Sequence, residues 1–285
     1  RRRRRKEEEL TSAGHHALEH KSTRRCTVSE DQRKDVMEYK PDNEEVQHLR
    51  FLLYGWIGAG KSSFINSVAT TLLGRMAIQQ LSTPVMPLTQ YKTHKIKKQR
   101  SYFPFVFNDI MGLEGDNNHG ARTEDIKLAM KGHIKDGYKF NPISPISEKD
   151  PHYNPHPKLD DKVHVLVCLL DVNSPEIDRL VIQKMKAVRE AARDLGIPQI
   201  AIATHADALC EEIEKNLLNV YKSKALKKKV EFSNEVGIPL QCIMAVMNYC
   251  KGKTKIDPNM DTLILTVLKH MIDFGNDFIE EITQT

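Results

Sequence analysis

The feature that most limits what this chain can fold into is a glycine loop set between an apolar run and a helical one. Phe51-Leu52-Leu53-Tyr54 reads as a buried strand, Gly55-Trp56-Ile57-Gly58-Ala59-Gly60-Lys61-Ser62 as the loop, and Ser63-Phe64-Ile65 as the opening of a helix. The loop fits G-x-x-x-x-G-K-[ST] and has the strand before and helix after that the pattern requires. Glycines let the backbone wrap closely around phosphate oxygens, so the amides of Gly58, Ala59, Gly60, Lys61, Ser62 and Ser63 are expected to point inward, with the positive end of the helix behind them. Lys61 would reach the β- and γ-phosphates, and the Ser62 hydroxyl would ligate Mg2+.

The rest of the chain supplies the fold around such a loop. Tyr91 to Lys97 is polar and lysine-rich, as suits an edge strand, and Phe103 to Phe107 reads as a buried strand ending at Asp109. Val163 to Leu170, Ile200 to Ala203 and Cys242 to Met247 read as further strands, with helices between them that end in Gly-Ile-Pro at Gly196–Pro198 and Gly237–Pro239. Ser174-Pro175 is expected to start one helix and Asp257-Pro258 the last one. Strands alternating with helices predict an α/β three-layer sandwich of the P-loop GTPase-like kind, its mostly parallel sheet carrying an antiparallel edge strand and helices on both faces. Residues 1–45 are polar and read as an extension, partly helical or disordered. Residues 46–285 read as the nucleotide-binding domain, interrupted by a long irregular loop over 115–162 that is crowded with prolines.

Several further residues bear on the chemistry. Asp109-Ile110-Met111-Gly112 ends a buried strand, where the carboxylate would hold Mg2+ and the Gly112 amide would meet the γ-phosphate. Thr204-His205-Ala206-Asp207 follows another strand and has the T-K-x-D form with His205 in place of lysine; Asp207 would accept two hydrogen bonds from guanine, a pair that adenine does not offer. Asn248-Tyr249 stands where the base pocket would close. A threonine between the loop and Asp109 is needed to sense the γ-phosphate, and of Thr83, Thr89 and Thr93 the choice falls on Thr89. The ligands implied are GTP or GDP with Mg2+. Leu113 follows Gly112, where a glutamine orients the attacking water in Ras. Leucine cannot, so hydrolysis is expected to be slow or to need a group from a partner or a second copy of the domain.

Composition narrows the class. The formal charge of +5 is concentrated in Arg1–Lys6, which leaves the body nearly neutral and predicts no specific nucleic-acid ligand. The five cysteines lack CxxC spacing, the pattern of reduced thiols in the cytosol. His15, His16, His20 and Cys26 have no zinc spacing. No apolar run is long enough to span a membrane. Position 1 is not methionine, from which sequence upstream is expected.

With these residues in view, the chain resembles the interferon-induced protein 44 family from about Tyr39 to the C-terminus. The resemblance rests on Tyr39-Lys40-Pro41, Gly58 to Ser67 and Asp109 to Leu113. It rests most on Gly132-His133-Ile134, Asp136 to Pro142, Ser144-Pro145-Ile146 and Leu170 to Ser174. It implies a cytoplasmic, interferon-inducible protein of the antiviral response that binds guanine nucleotide. Protein partners and a nucleotide-dependent homodimer are expected from the missing water-orienting group at Leu113. His205 departs from the family's usual lysine, and the TLDc-like domain of longer members is missing here. The competing expectation is a non-catalytic scaffold with a degenerate nucleotide site.

Overall fold

The computed structural model describes residues 30–77, 89–115, 120–174, 177–206, 236–239, 242–249 and 255–284. Its elements are α1 (Glu30–Glu38), β1 (Leu49–Tyr54), α2 (Lys61–Leu73), β2 (Lys92–Lys98), β3 (Ser101–Asp109), α3 (Thr123–Met130), a 3-10 turn (Leu159–Asp161), β4 (Val165–Asp171), α4 (Arg179–Asp194), β5 (Gln199–Thr204), β6 (Ile243–Ala245) and α5 (Pro258–Gln284). The six strands form one sheet in the order β2-β3-β1-β4-β5-β6. Only the β2–β3 pair is antiparallel; every other pair is parallel. The expected sheet is therefore present, with the lysine-rich strand on its edge.

Pairing register fixes where the site falls. Leu53 of β1 lies opposite Asp109 of β3, Tyr54 opposite Cys168 of β4, and Asp171 of β4 opposite Thr204 of β5. The ends of these parallel strands therefore share one edge of the sheet, with β1 between strands that the chain reaches by crossing in opposite directions. That is the switch point at which open α/β sheets hold ligands.

The layers are built from sequence periodicity. Every residue of β4 but the last is buried, as expected of a strand covered on both faces. On one face Phe51, Phe105 and Phe107 pack together, and Phe64 of α2 meets Phe107 edge-on at 6.2 Å between ring centroids. Truncating Phe107 to alanine would empty the middle of this cluster at a cost of about 3–5 kcal/mol, readable by urea unfolding. On α4, Val181, Met185, Val188 and Ala192 form the buried stripe, a helical three-and-four repeat. In α5, Gly275 lets the helix lie close to β1, since a Cβ there would stand 3.1 Å from Leu49.

Three differences from the sequence reading have physical causes. The helix expected to begin at Ser174-Pro175 begins at Arg179, because Asp178 is its cap and accepts from the Leu180 amide at 2.7 Å. β6 is only Ile243–Ala245, shorter than the apolar run suggested, and Cys242 is half-buried just before it. The insertion is not irregular throughout. It contains α3, and its 137–140 stretch pairs with 89–91: Tyr91 N–H donates to Tyr138 O at 2.8 Å and Phe140 N–H to Thr89 O at 3.0 Å. Proline crowding disguised this order because its hydrogen bonds run to distant segments. At the other helix boundary, Asp257 does cap α5, accepting from the Asn259 amide at 2.8 Å.

Candidate functional site

The loop between β1 and α2 closes on Gly60, whose φ of +89° caps α2 in a left-handed conformation. A side chain there would also press on Asn248, 3.1 Å away. The first-turn amides of α2 have no helical carbonyl to bond, so Lys61, Ser62 and Ser63 present them at the sheet edge. Lys61 is buried, its Nζ donating to Gly55 O at 3.4 Å and Trp56 O at 3.3 Å. Burial lowers its pKa, against the opposing pull of Asp109.

Ser62 and Asp109 meet although far apart in sequence. The Ser62 hydroxyl donates to Asp109 Oδ2 at 2.8 Å. Asp109 is 1% exposed and its Oδ1 has no donor among the described residues. Burial raises its pKa, while Lys61 first, then Ser62, Lys92 and, least, the Ile110 backbone amide pull it down. A buried carboxylate oxygen without a donor costs several kcal/mol unless something positive meets it. The hydroxyl–carboxylate pair is a hard-oxygen donor set of the kind Mg2+ takes, so these residues fit that ion.

The other proposed residues fall at the same edge with different surroundings. Asn248 is buried and both ends of its amide lack partners among the described residues. Thr204 donates its hydroxyl to Ala59 O at 3.0 Å, so it braces the loop. His205 sits in the left-handed region at φ +56°, and its Nδ1 is 3.0 Å from Asp171 Oδ1. Its ring is thereby tied to the end of β4, a pairing the sequence did not reveal; the carboxylate at a strand end was its only signal. Asp207 and Thr83 lie outside the described residues. Of the remaining threonines, Thr93 has its oxygen occupied by the Asn108 side-chain amide at 2.9 Å. Thr89 is exposed three residues ahead of Lys92, which pairs with Asp109.

The segment after Asp109 is fastened to the loop. Leu113 N–H donates to Gly55 O at 3.0 Å, and Leu113 bridges Trp56 in parallel pairing. Gly112 lies so close to the loop that a Cβ would fall 2.5 Å from Ile57 Cγ1 and 2.8 Å from its backbone nitrogen. Leu113 is buried, so the position after Gly112 offers no polar group for orienting water.

The strand order and this loop define a P-loop GTPase-like α/β protein. Among curated proteins, interferon-induced protein 44 of Mus musculus is 34% identical over 253 residues, covering 87% of this chain and 59% of that protein. Interferon-induced protein 44-like of Homo sapiens is 33% identical over 256 residues, covering 87% and 56%. Through this shared region the chain is homologous to interferon-induced protein 44 and 44-like proteins. It spans somewhat more than half the length of these relatives. No protein-family model matches the chain. Among solved structures, Toc33 of Arabidopsis thaliana, as a dimerization-deficient mutant, aligns with a TM-score of 0.47 and 15% identity over 81% of this chain and 86% of that one. Toc33 with GDP and Mg2+ aligns with a TM-score of 0.44 and 16% identity over the same shares.

Proposed function

We propose that this chain binds Mg–GTP and Mg–GDP through the Gly55–Ser62 loop and serves the interferon response as a slow, partner-dependent guanine-nucleotide switch. The observation that carries the reading is the buried Ser62–Asp109 pair, with Asp109 Oδ1 lacking a hydrogen-bond donor among the described residues and Lys61 beside it. A bound magnesium ion would supply the positive charge that the phosphates and this carboxylate share. Ser62 Oγ and Asp109 would hold it, with Thr89 joining when a γ-phosphate is present. Lys61 would exchange its two loop carbonyls for phosphate oxygens, and the first-turn amides of α2 would take the rest of the phosphate charge. Asp207 would read guanine, and the Asn248 amide, already desolvated, would bond the nucleotide at little further cost.

Slow turnover follows from Leu113, which is buried and fastened to Gly55 where a water-orienting group would be needed. The same observation favours a second reading, a non-catalytic scaffold whose nucleotide is structural or lost. We place the protein in the cytoplasm and the antiviral response; no helix among the described residues is long and apolar enough to cross a membrane. Calorimetry with GDP, a non-hydrolysable GTP analogue and ADP, each with Mg2+, separates the readings. Guanine-selective binding lost in Lys61→Ala and weakened in Asp207→Asn supports the switch. No binding of any nucleotide at millimolar concentration leaves only the scaffold.

A further inference from the structure

A cleft of about 560 Å3 opens between the β2–β3 edge and the insertion around residues 132–136. Strand alternation puts it on the face away from α2, since Phe107 points to α2 while Asn108 and Thr93 bond each other on the opposite face. Its wall carries Arg50, Lys95, Tyr102 and Lys135, which come from four separate elements or segments. Lys97, opposite Tyr102 in the β2–β3 register, extends the basic wall.

The carboxylates here are committed to the backbone. Asp136 Oδ1 accepts from the Thr93 amide at 2.5 Å, and Asp161 Oδ2 from the Lys158 amide at 3.0 Å. Nearby, Asp160 Oδ1 accepts from the amides of Gln47 and His48 at 2.8 and 2.9 Å. The cations have no such engagement: Arg50 gives its Nε to a carbonyl, Asp160 O at 2.9 Å, and Lys95, Lys97 and Lys135 have no carboxylate partner among the described residues. The His48 pKa is lowered by burial first and then by Lys95, with Asp160 opposing and Arg50 adding less. Lysines on an edge strand also discourage strand pairing. That accounts for Lys95 and Lys97 but not for Lys135 on the insertion or a Tyr102 ring left 54% exposed on the cleft wall.

We propose that this cleft binds a single-stranded polynucleotide, with phosphates along Lys95, Lys97, Lys135 and Arg50 and a base stacked on Tyr102. A basic groove beside an exposed aromatic ring is the general solution for single strands. Lysine acts as a point charge, so the contact positions the strand without reading its sequence. The near-neutral charge of the body hides this cleft, because whole-chain charge does not record where the lysines gather.

The test is fluorescence anisotropy of the full chain with labelled twelve-nucleotide oligouridylate and oligothymidylate over a salt series, with unlabelled polyglutamate as competitor. A variant with Arg1–Lys6 replaced by serine removes the contribution of the basic tip, and the exposed Lys186→Gln on α4 serves as the charge control. In that tip-free background, Lys95→Gln/Lys135→Gln is expected to weaken binding at least tenfold and to flatten the log–log salt slope by about 1.4. Tyr102→Ala is expected to weaken it about tenfold, and Lys186→Gln to leave it unchanged. Lys95, Tyr102, Lys135 and Lys186 are on the surface, and thermal unfolding verifies each variant's fold. The proposal is overturned if the tip-free protein does not bind, if either cleft variant binds like its parent, or if polyglutamate competes as well as the oligonucleotides, which would make the cleft a site for acidic peptides.

Discussion

In the insertion, buried Asp125 on α3 has a donor for each oxygen, the Ile146 amide at 2.8 Å and the Tyr138 hydroxyl at 3.1 Å. At the sheet edge that carries the loop, among the described residues buried Asp109 has a donor on one oxygen only, and buried Asn248 has a partner at neither end. Both carboxylates are pushed up in pKa by burial, so both were desolvated at a cost, yet among the described residues only Asp125 has both oxygens met by donors. An unpaired buried polar group calls for an explanation, and a ligand that completes it is one. The contrast between the two carboxylates is what the nucleotide-switch proposal rests on.

The largest effect that would break this comparison comes from Asp109→Asn. Nucleotide affinity with Mg2+ should fall by a hundredfold or more, about 3 kcal/mol, while without nucleotide the unfolding midpoint changes little. A matching loss of stability would mean that Asp109 is structural after all. Asp125→Ala should do the reverse. Stranding the Ile146 amide and the Tyr138 hydroxyl costs about 3 kcal/mol in urea unfolding, with nucleotide affinity of the folded protein nearly unchanged.

A comparable effect should appear with pH. His164 Nδ1 accepts from the Arg50 amide at 2.9 Å, its Nε2 lies 3.1 Å from Leu159 O, and its pKa is pushed down to about 4, chiefly by burial. Because the folded value lies below the unfolded one, this contribution is complete above about pH 6.5 and is lost as pH falls toward 4, by about 3 kcal/mol. Denaturant titrations at pH 7.5 and 4.5 should show the loss, and His164→Asn, whose Oδ1 can still accept from Arg50, should reduce it. The smallest expected change is Asn248→Ala, with stability altered by less than about 1 kcal/mol and nucleotide affinity several-fold weaker by calorimetry. A large loss of stability there would show that the Asn248 amide has partners in solution.

The legible part of the site was the part written in consecutive residues. Gly55 to Ser62 could be read because glycine conformation, a lysine and a hydroxyl at fixed spacing are local properties, and Asp109 because it ends an apolar run. The pairing of His205 with Asp171, the bracing of Ala59 by Thr204 and the order within the insertion could not be read, since each joins residues brought together only by strand register or chain reversal. Thr93 shows the same limit. Its spacing suited a phosphate sensor, but its place opposite Asn108 occupies its oxygen.

The sequence by itself determined the alternation of strands and helices, the glycine loop between β1 and α2 and the edge position of the lysine-rich strand, because period, glycine and charge act over a few residues. Tertiary structure decided which buried polar atoms lack partners among the described residues, through a sheet order that sets Ser62 against Asp109 and Asn248 beside Gly60. It also decided where lysines from separate elements gather into a cleft. Hydrogen-bond completion and electrostatic potential depend on neighbours in space, and register and chain crossings choose those neighbours.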